Sequence, residues 1–146
     1  MIRVLIASAL LLTSTAASAQ DWAREQCAAS LERAYSFFST RAGTQVQGEL
    51  NGDGRADHAL LLDHRSRPDR SVIGVCLSGE PRPLLITDPY ASTRIAITPR
   101  GREYRDAQAG NARQFELDAI TVDGAAAARA SYILRVGVFE RVVHAD

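Results

Sequence analysis

Oxygen-bearing side chains recur at alternating positions in the segment GELNGDGRADHALLL, residues 48–62. If Glu49 is taken as loop position one, such side chains fall at positions one, three, five and nine, and a glycine falls at position six. A hard cation such as Ca²⁺ takes about six to eight oxygen ligands, and position seven can add a backbone carbonyl. The spacing therefore predicts a structural Ca²⁺ loop at 49–57. Its predicted ligands are Glu49, Asn51, Asp53, Arg55 through its carbonyl, and Asp57.

The same segment also fits a loop that holds no metal. Asn-Gly and Asp-Gly are typical turn dipeptides, and the side chains of Asn51 and Asp53 are of the kind that bond nearby backbone N–H groups. The sequence leaves both interpretations open.

The loop resembles the D-x-N-G-D-G-x-x-D loops of FG-GAP and VCBS-type repeats and of dockerins, and the apolar strand HALLL follows it as in the first two families. Two positions depart from that pattern. Glu49 stands where those families usually carry Asp, and Leu60 stands at position twelve, where EF-hand and dockerin loops place a bidentate carboxylate. The resemblance therefore implies weak binding, with a Kd of about 10⁻⁴–10⁻³ M.

A broader resemblance covers most of residues 21–146. The order of a helix, the loop, the VCLSG strand and the end YILRVGVFERVVHAD resembles small exported bacterial proteins with a single VCBS-like motif. Phe139, Val142 and Asp146 stand at comparable places, whereas His144 and Ala145 depart from the usual ending. Because that group has no assigned reaction, the resemblance implies location and fold more than function.

The first 19 residues have the layout of a secretory signal peptide. Arg3 precedes an apolar run from Val4 to Leu12, and Ala17-Ser18-Ala19 forms an A-x-A cleavage site. A retained membrane anchor is the alternative, but the apolar run is shorter than the roughly 20 residues that span a bilayer. Cleavage after Ala19 predicts one domain at 20–146, located in the periplasm or secreted and no longer held at a membrane.

Charge and cysteine usage narrow the class further. The chain carries 17 basic and 17 acidic residues, so its charge offers no argument for binding nucleic acid or an anionic membrane. The two cysteines, Cys27 and Cys76, are predicted to form a disulfide, as is usual in an exported chain. A zinc site is not indicated, because it would need a C-x-x-C motif or clustered histidines and the sequence has neither. We expect a monomer whose partner, if any, is a periplasmic protein.

A helix is predicted over 21–39 with Asp21 as its N-cap. Its apolar stripe comprises Cys27, Leu31, Ala34, Tyr35 and Phe38. Beyond Gly43 the period becomes strand-like, as in HALLLDH and SVIGVCLSG. If Cys76 bonds Cys27, the face of its strand that carries Gly74 meets the helix closely. The predicted class is α+β, with one N-terminal helix packed on an antiparallel β-meander of about six to eight short strands.

Three functions follow from these features. The first is a non-enzymatic periplasmic or secreted module with the structural Ca²⁺ loop. The second is a periplasmic inhibitor or immunity-type binding protein, with the polar residues 100–113 as an exposed contact segment. The third is an uncharacterised hydrolase that uses Asp53 or Asp57. No catalytic constellation is recognised, and the three histidines, His58, His64 and His144, read as surface or strand-edge residues.

Overall fold

The computed structural model describes residues 22–87, 92–124 and 127–145. The predicted signal peptide, residues 1–19, and the predicted N-cap Asp21 lie outside these ranges.

The described ranges form one helix and eleven strands, and every strand pair is antiparallel. The helix is α1 (Arg24–Ala34), and the strands are β1 (Phe38–Thr40), β2 (Val46–Gly48), β3 (Asp57–His64), β4 (Arg67–Cys76), β5 (Leu84–Ile86), β6 (Ser92–Thr98), β7 (Glu103–Arg105), β8 (Ala112–Gln114), β9 (Ala119–Gly124), β10 (Ala127–Arg135) and β11 (Val138–Val143). The first sheet has the order β1-β3-β4-β5, with β2 also paired to β3, and the second has the order β11-β10-β9-β6. Strands β7 and β8 form a separate two-stranded ribbon.

The predicted α+β class is wrong. Of the described structure, 51% is strand and 10% is helix, and the strands divide into two sheets and a ribbon rather than one meander beneath a helix. Five of the strands are only three residues long, and a segment of that length is too short for an alternating pattern to show. The sequence therefore showed too few strands and gave no sign of where one sheet ends and the next begins.

Strand β3 explains why two sheets are needed. Leu60 and Leu62 pack on the helix side of the first sheet, whereas Ala59 and Leu61 face the second sheet. A strand covered on both faces has no polar face and therefore lacks alternation. The core between the sheets consists of Leu50, Ala59, Leu61, Ile73, Val75, Leu77, Ile86, Ile95, Ile120, Val122, Ala130 and Tyr132.

The predicted disulfide is confirmed and ties the helix to β4. Cys27 and Cys76 are bonded and fully buried. The expected role of Gly74 is also confirmed, because a Cβ built there would lie 2.7 Å from both Cδ atoms of Leu31. The helix ends at Ala34, earlier than predicted, and Phe38 instead begins β1 opposite His64.

The predicted exposed segment 100–113 is mostly the ribbon. Tyr104 is buried with Phe115, Ala119 and Ile133, which fastens the ribbon to the outer face of the second sheet. The segment is exposed, as expected, at every residue except Tyr104, which is buried and anchors it, and Asp106, which is half-buried.

Candidate functional site at the 49–57 loop

The 49–57 loop closes the β2–β3 hairpin. Gly48 pairs with Asp57, so the intervening residues must reverse direction. Gly52 and Gly54 make that reversal with φ values of 84° and 78°, a region that residues with side chains rarely adopt. The hairpin therefore brings both ends of the predicted ligand set, Glu49 and Asp57, to one end of the first sheet.

Asp57 is fully buried and acts as a hub for backbone donors. Its Oδ2 accepts hydrogen bonds from Leu50 N at 2.6 Å and Asn51 N at 3.2 Å. Its Oδ1 accepts one from Ser78 N at 2.6 Å and lies 2.9 Å from the Ser78 hydroxyl. A carboxylate has about four acceptor positions, and here three are filled by N–H groups and the fourth faces a hydroxyl.

Asp53 forms an ion pair with Arg55 of the same loop. Its Oδ2 accepts hydrogen bonds from the Arg55 guanidinium, with Nη2 at 2.8 Å and Nε at 3.1 Å. Its Oδ1 accepts one from Arg55 N at 2.9 Å. The Ser78 hydroxyl lies 2.7 Å from Oδ2, so its single hydrogen is shared between Asp53 and Asp57. The Ser78 hydrogen bond, followed by the Arg55 contacts, lowers the pKa of Asp53.

The other two side chains of the predicted set also bond the backbone. The Glu49 carboxylate accepts from Gly52 N, and Asn51 Oδ1 accepts from Asp53 N at 3.1 Å. Asn51 Nδ2 donates to the Ser78 carbonyl at 2.9 Å. Side-chain oxygens that bond N–H groups two or three residues further on are typical of Asx-type turns.

The loop also joins the two sheets through Asp118, which precedes β9. Asp118 Oδ2 accepts from Glu49 N at 2.9 Å, Asp118 N donates to Glu49 O at 3.2 Å, and Asp118 Oδ1 accepts from Arg100 N at 2.9 Å. Gly48 permits this approach, because a Cβ there would lie 2.9 Å from Ile97 Cγ2 and 3.1 Å from Asp118 Oδ2.

Sequence reasoning missed Ser78 and Asp118. Both contribute polar groups to the loop from positions 21 or more residues away from their partners. Neither lies in a recognisable motif: Ser78 follows the VCL segment of its strand, and Asp118 is one of several alternating polar residues before β9. Nothing in their local sequence distinguishes them from ordinary surface residues.

In this arrangement the two aspartates do not fit the role of Ca²⁺ ligands. N–H groups donate to both oxygens of Asp57, and the Arg55 guanidinium donates to Oδ2 of Asp53. A cation would therefore have to displace hydrogen-bond donors from each aspartate. Within the described residues, no group of three or more His, Cys, Asp or Glu side chains is arranged to hold a metal ion. The geometry favours the turn interpretation, and the Ca²⁺ ligand set stays a prediction.

The three histidines are dispersed. His58 is 6% exposed, pairs with both β2 and β4, and has its Nε2 2.9 Å from the Trp22 carbonyl, so the expectation of a surface or strand-edge residue is wrong for it. His64 accepts from Ser66 N in the turn before β4, and His144 contacts Ser131 on the second sheet.

No protein-family model matches the chain, and no curated protein and no solved structure shows significant similarity to it. The resemblance to FG-GAP and VCBS-type loops therefore stays a prediction based on residues 49–57. Among the described residues, no helix is both long and apolar enough to cross a membrane.

Proposed function

We propose that this protein is a non-enzymatic exported module in which the 49–57 loop is a hydrogen-bonded structural corner. The observation that carries the proposal is the buried Asp57 carboxylate, which gathers backbone N–H groups from the loop and from the end of β4. A carboxylate in that state is out of reach of a substrate, which counts against the hydrolase alternative at Asp57. The polar residues of the motif serve to fasten the fold.

The disulfide supports export. Cys27 and Cys76 are bonded, and such bonds persist in oxidising compartments such as the periplasm or the extracellular space. The proposal of export rests also on the signal-like residues 1–19. Fractionation of cells that express the full chain tests it, and recovery of the uncleaved chain in the cytoplasm would contradict export.

Calorimetric titration with CaCl₂ tests the structural-corner proposal. We expect no saturable heat from the wild-type protein at millimolar Ca²⁺, because the Arg55 guanidinium and backbone N–H groups already occupy the aspartates. Arg55→Gln removes the guanidinium charge that pairs with Asp53, so any competition between Arg55 and Ca²⁺ for this carboxylate would be revealed as Ca²⁺ binding by the variant. Arg94→Gln, which breaks an exposed ion pair with Asp123, is the matched control.

A wild-type Kd of about 10⁻⁴–10⁻³ M that disappears in Asp53→Ala would overturn the metal-free corner and restore the Ca²⁺ loop. Turnover on a hydrolase substrate panel that is lost in a folded Asp53→Asn variant would overturn the non-enzymatic assignment.

A binding protein of the inhibitor or immunity type is the second candidate, and the β10–β11 turn favours it. Val136 and Val138 are 104% and 64% exposed, and Val136 adopts a φ of 48°. With Gly137 at φ 78°, this is the backbone of a type I′ turn, where Asn-Gly is preferred and a β-branched residue is strained. A strained, exposed valine contributes little to folding, so we assign it to contact with a protein partner.

Copurification from the exported fraction tests this candidate. The wild-type protein is expected to retain a partner that Val136→Asn loses, while Phe37→Ser, which changes a different exposed apolar side chain, retains it. Equal recovery by all three proteins would remove the hairpin turn as the contact.

A further inference from the structure

A line of hydroxyl groups, half-buried at Thr98 and buried at Thr121 and Ser131, crosses the outer face of the second sheet and ends at His144. Thr98 Oγ1 lies 2.6 Å from Thr121 Oγ1, which lies 2.7 Å from Ser131 Oγ, which lies 3.0 Å from His144 Nε2. Ser131 and Thr121 are 0% and 2% exposed. Because each hydroxyl donates one hydrogen, the direction of the whole line depends on whether His144 Nε2 accepts or donates.

The same histidine lies where the ribbon meets the end of the chain. The ring of His144 stacks on Tyr104 with centroids 5.9 Å apart and lies 6.2 Å from Phe115. Its backbone bridges Asp106, and the flanking bonds Ala107 N to Val143 O and Ala145 N to Arg105 O are both 2.9 Å long. His144 is therefore in contact with both the ribbon and the second sheet.

We propose that His144 is an acid-sensitive latch, which holds the β7–β8 ribbon on the second sheet when neutral and releases it when protonated. This inference does not depend on the role of the 49–57 loop. A protonated ring must donate from Nε2, which reverses the hydroxyl line, and it places a charge on a half-buried side chain beneath the ribbon. Release would uncover Tyr104 and Phe115, so the module would present a different surface in an acidified compartment.

Charged and titratable groups surround the ring from every neighbouring element. They are Tyr104, which stacks on the ring, Asp106, which bridges the His144 backbone, and Arg129 and Asp123, whose charges act on it. Burial and then Arg129 lower the pKa of His144, and Asp123 opposes them more weakly. The aromatic rings add little, because 5.9 and 6.2 Å lie at the limit at which a ring face attracts a cation.

Asp106 does not titrate together with His144. Its carboxylate accepts from Gln108 N and Ala109 N, and these bonds lower its pKa, so it stays charged through mildly acidic pH. The pKa of His144 is lowered in the closed form, in which the ribbon lies on the second sheet, and this decides the direction of the pH effect. The open form binds the proton more tightly, so ribbon closure is complete above the ordinary histidine pKa of about 6.5 and weakens as pH falls below it.

Hydrogen exchange of the oxidised chain, corrected for intrinsic rates at about pH 7 and about pH 5, tests the latch. Protection of ribbon amides 103–114 is expected to fall by up to about tenfold per pH unit between the open and closed pKa values, while β3 and β4 stay protected. In His144→Asn the ribbon's protection is expected to become independent of pH over this range. His64→Asn is the control and should behave as the wild type does.

NMR titration of the imidazoles gives a second readout that does not require a variant to fold. A His144 pKa at or above about 6.5 would overturn the proposal. Ribbon protection that stays constant from pH 7 to 5 in the wild type would also overturn it. If His144→Asn does not fold, His144→Gln gives the same comparison.

Discussion

Replacing Asp57 by alanine should remove much of the stability of this fold, because the change leaves buried donors without an acceptor. Leu50 N and Ser78 N each donate to Asp57 at 2.6 Å, and both residues are almost completely buried. Asn51 N is only partly buried and can reach water, and the Ser78 hydroxyl retains Asp53 at 2.7 Å. Two orphaned buried N–H groups at about 1–3 kcal/mol each predict a loss of about 2–6 kcal/mol.

Two further substitutions turn this estimate into a test of mechanism. Asp57→Asn has the same shape but presents an NH₂ group to one pair of donors, so we expect about half the loss of the alanine variant. Asp53→Ala changes a carboxylate in the same loop whose side chain is 27% exposed, so water can replace its contacts and the loss of stability should be much smaller than for Asp57→Ala.

Urea denaturation measures these differences, and Trp22 provides the signal because it is the single tryptophan and is 6% exposed in the folded protein. Each variant is measured with EDTA and with millimolar CaCl₂. The reasoning is refuted if Asp53→Ala costs as much as Asp57→Ala, or if the loss at Asp57 appears only when Ca²⁺ is present. Either result would mean that the carboxylates act on a shared cation rather than on backbone donors.

Three further changes test the packing and the turn. Gly74→Ala should lower the free energy of unfolding, measured in urea, by about 1–3 kcal/mol because its Cβ would meet Leu31 at 2.7 Å. The double variant Gly74→Ala/Leu31→Ala should lose less than the sum of the two single losses, and strict additivity would contradict the contact. Reduction of Cys27–Cys76, which closes a separation of 49 residues, should remove about 4 kcal/mol, whereas two titratable thiols in the native exported protein would refute the bond. Val136→Asn should raise the unfolding free energy by about 1 kcal/mol by relieving the positive φ, and a lower midpoint in urea would show that the valine is not strained.

Local patterns were sufficient for features that depend on near neighbours or on composition. The apolar run in β3 indicated a buried strand, and two cysteines in a chain with a signal-like start indicated a bond. Gly74 was identified because it shares a strand face with Cys76. The division into two sheets was not predictable, because which strands pair with one another is decided by contacts with residues far away in the sequence.

The sequence by itself determined that oxygen-bearing side chains would crowd the turn between β2 and β3, since the spacing of Glu49, Asn51, Asp53 and Asp57 is local. Only the tertiary structure decided what those oxygens face. A carboxylate accepts N–H groups as readily as it binds a cation, and the choice depends on which partner is brought to it. Here Ser78 arrives from the end of β4 and Asp118 from the second sheet, 21 and 69 residues from the groups they bond. Spacing within one loop carries no information about partners that distant.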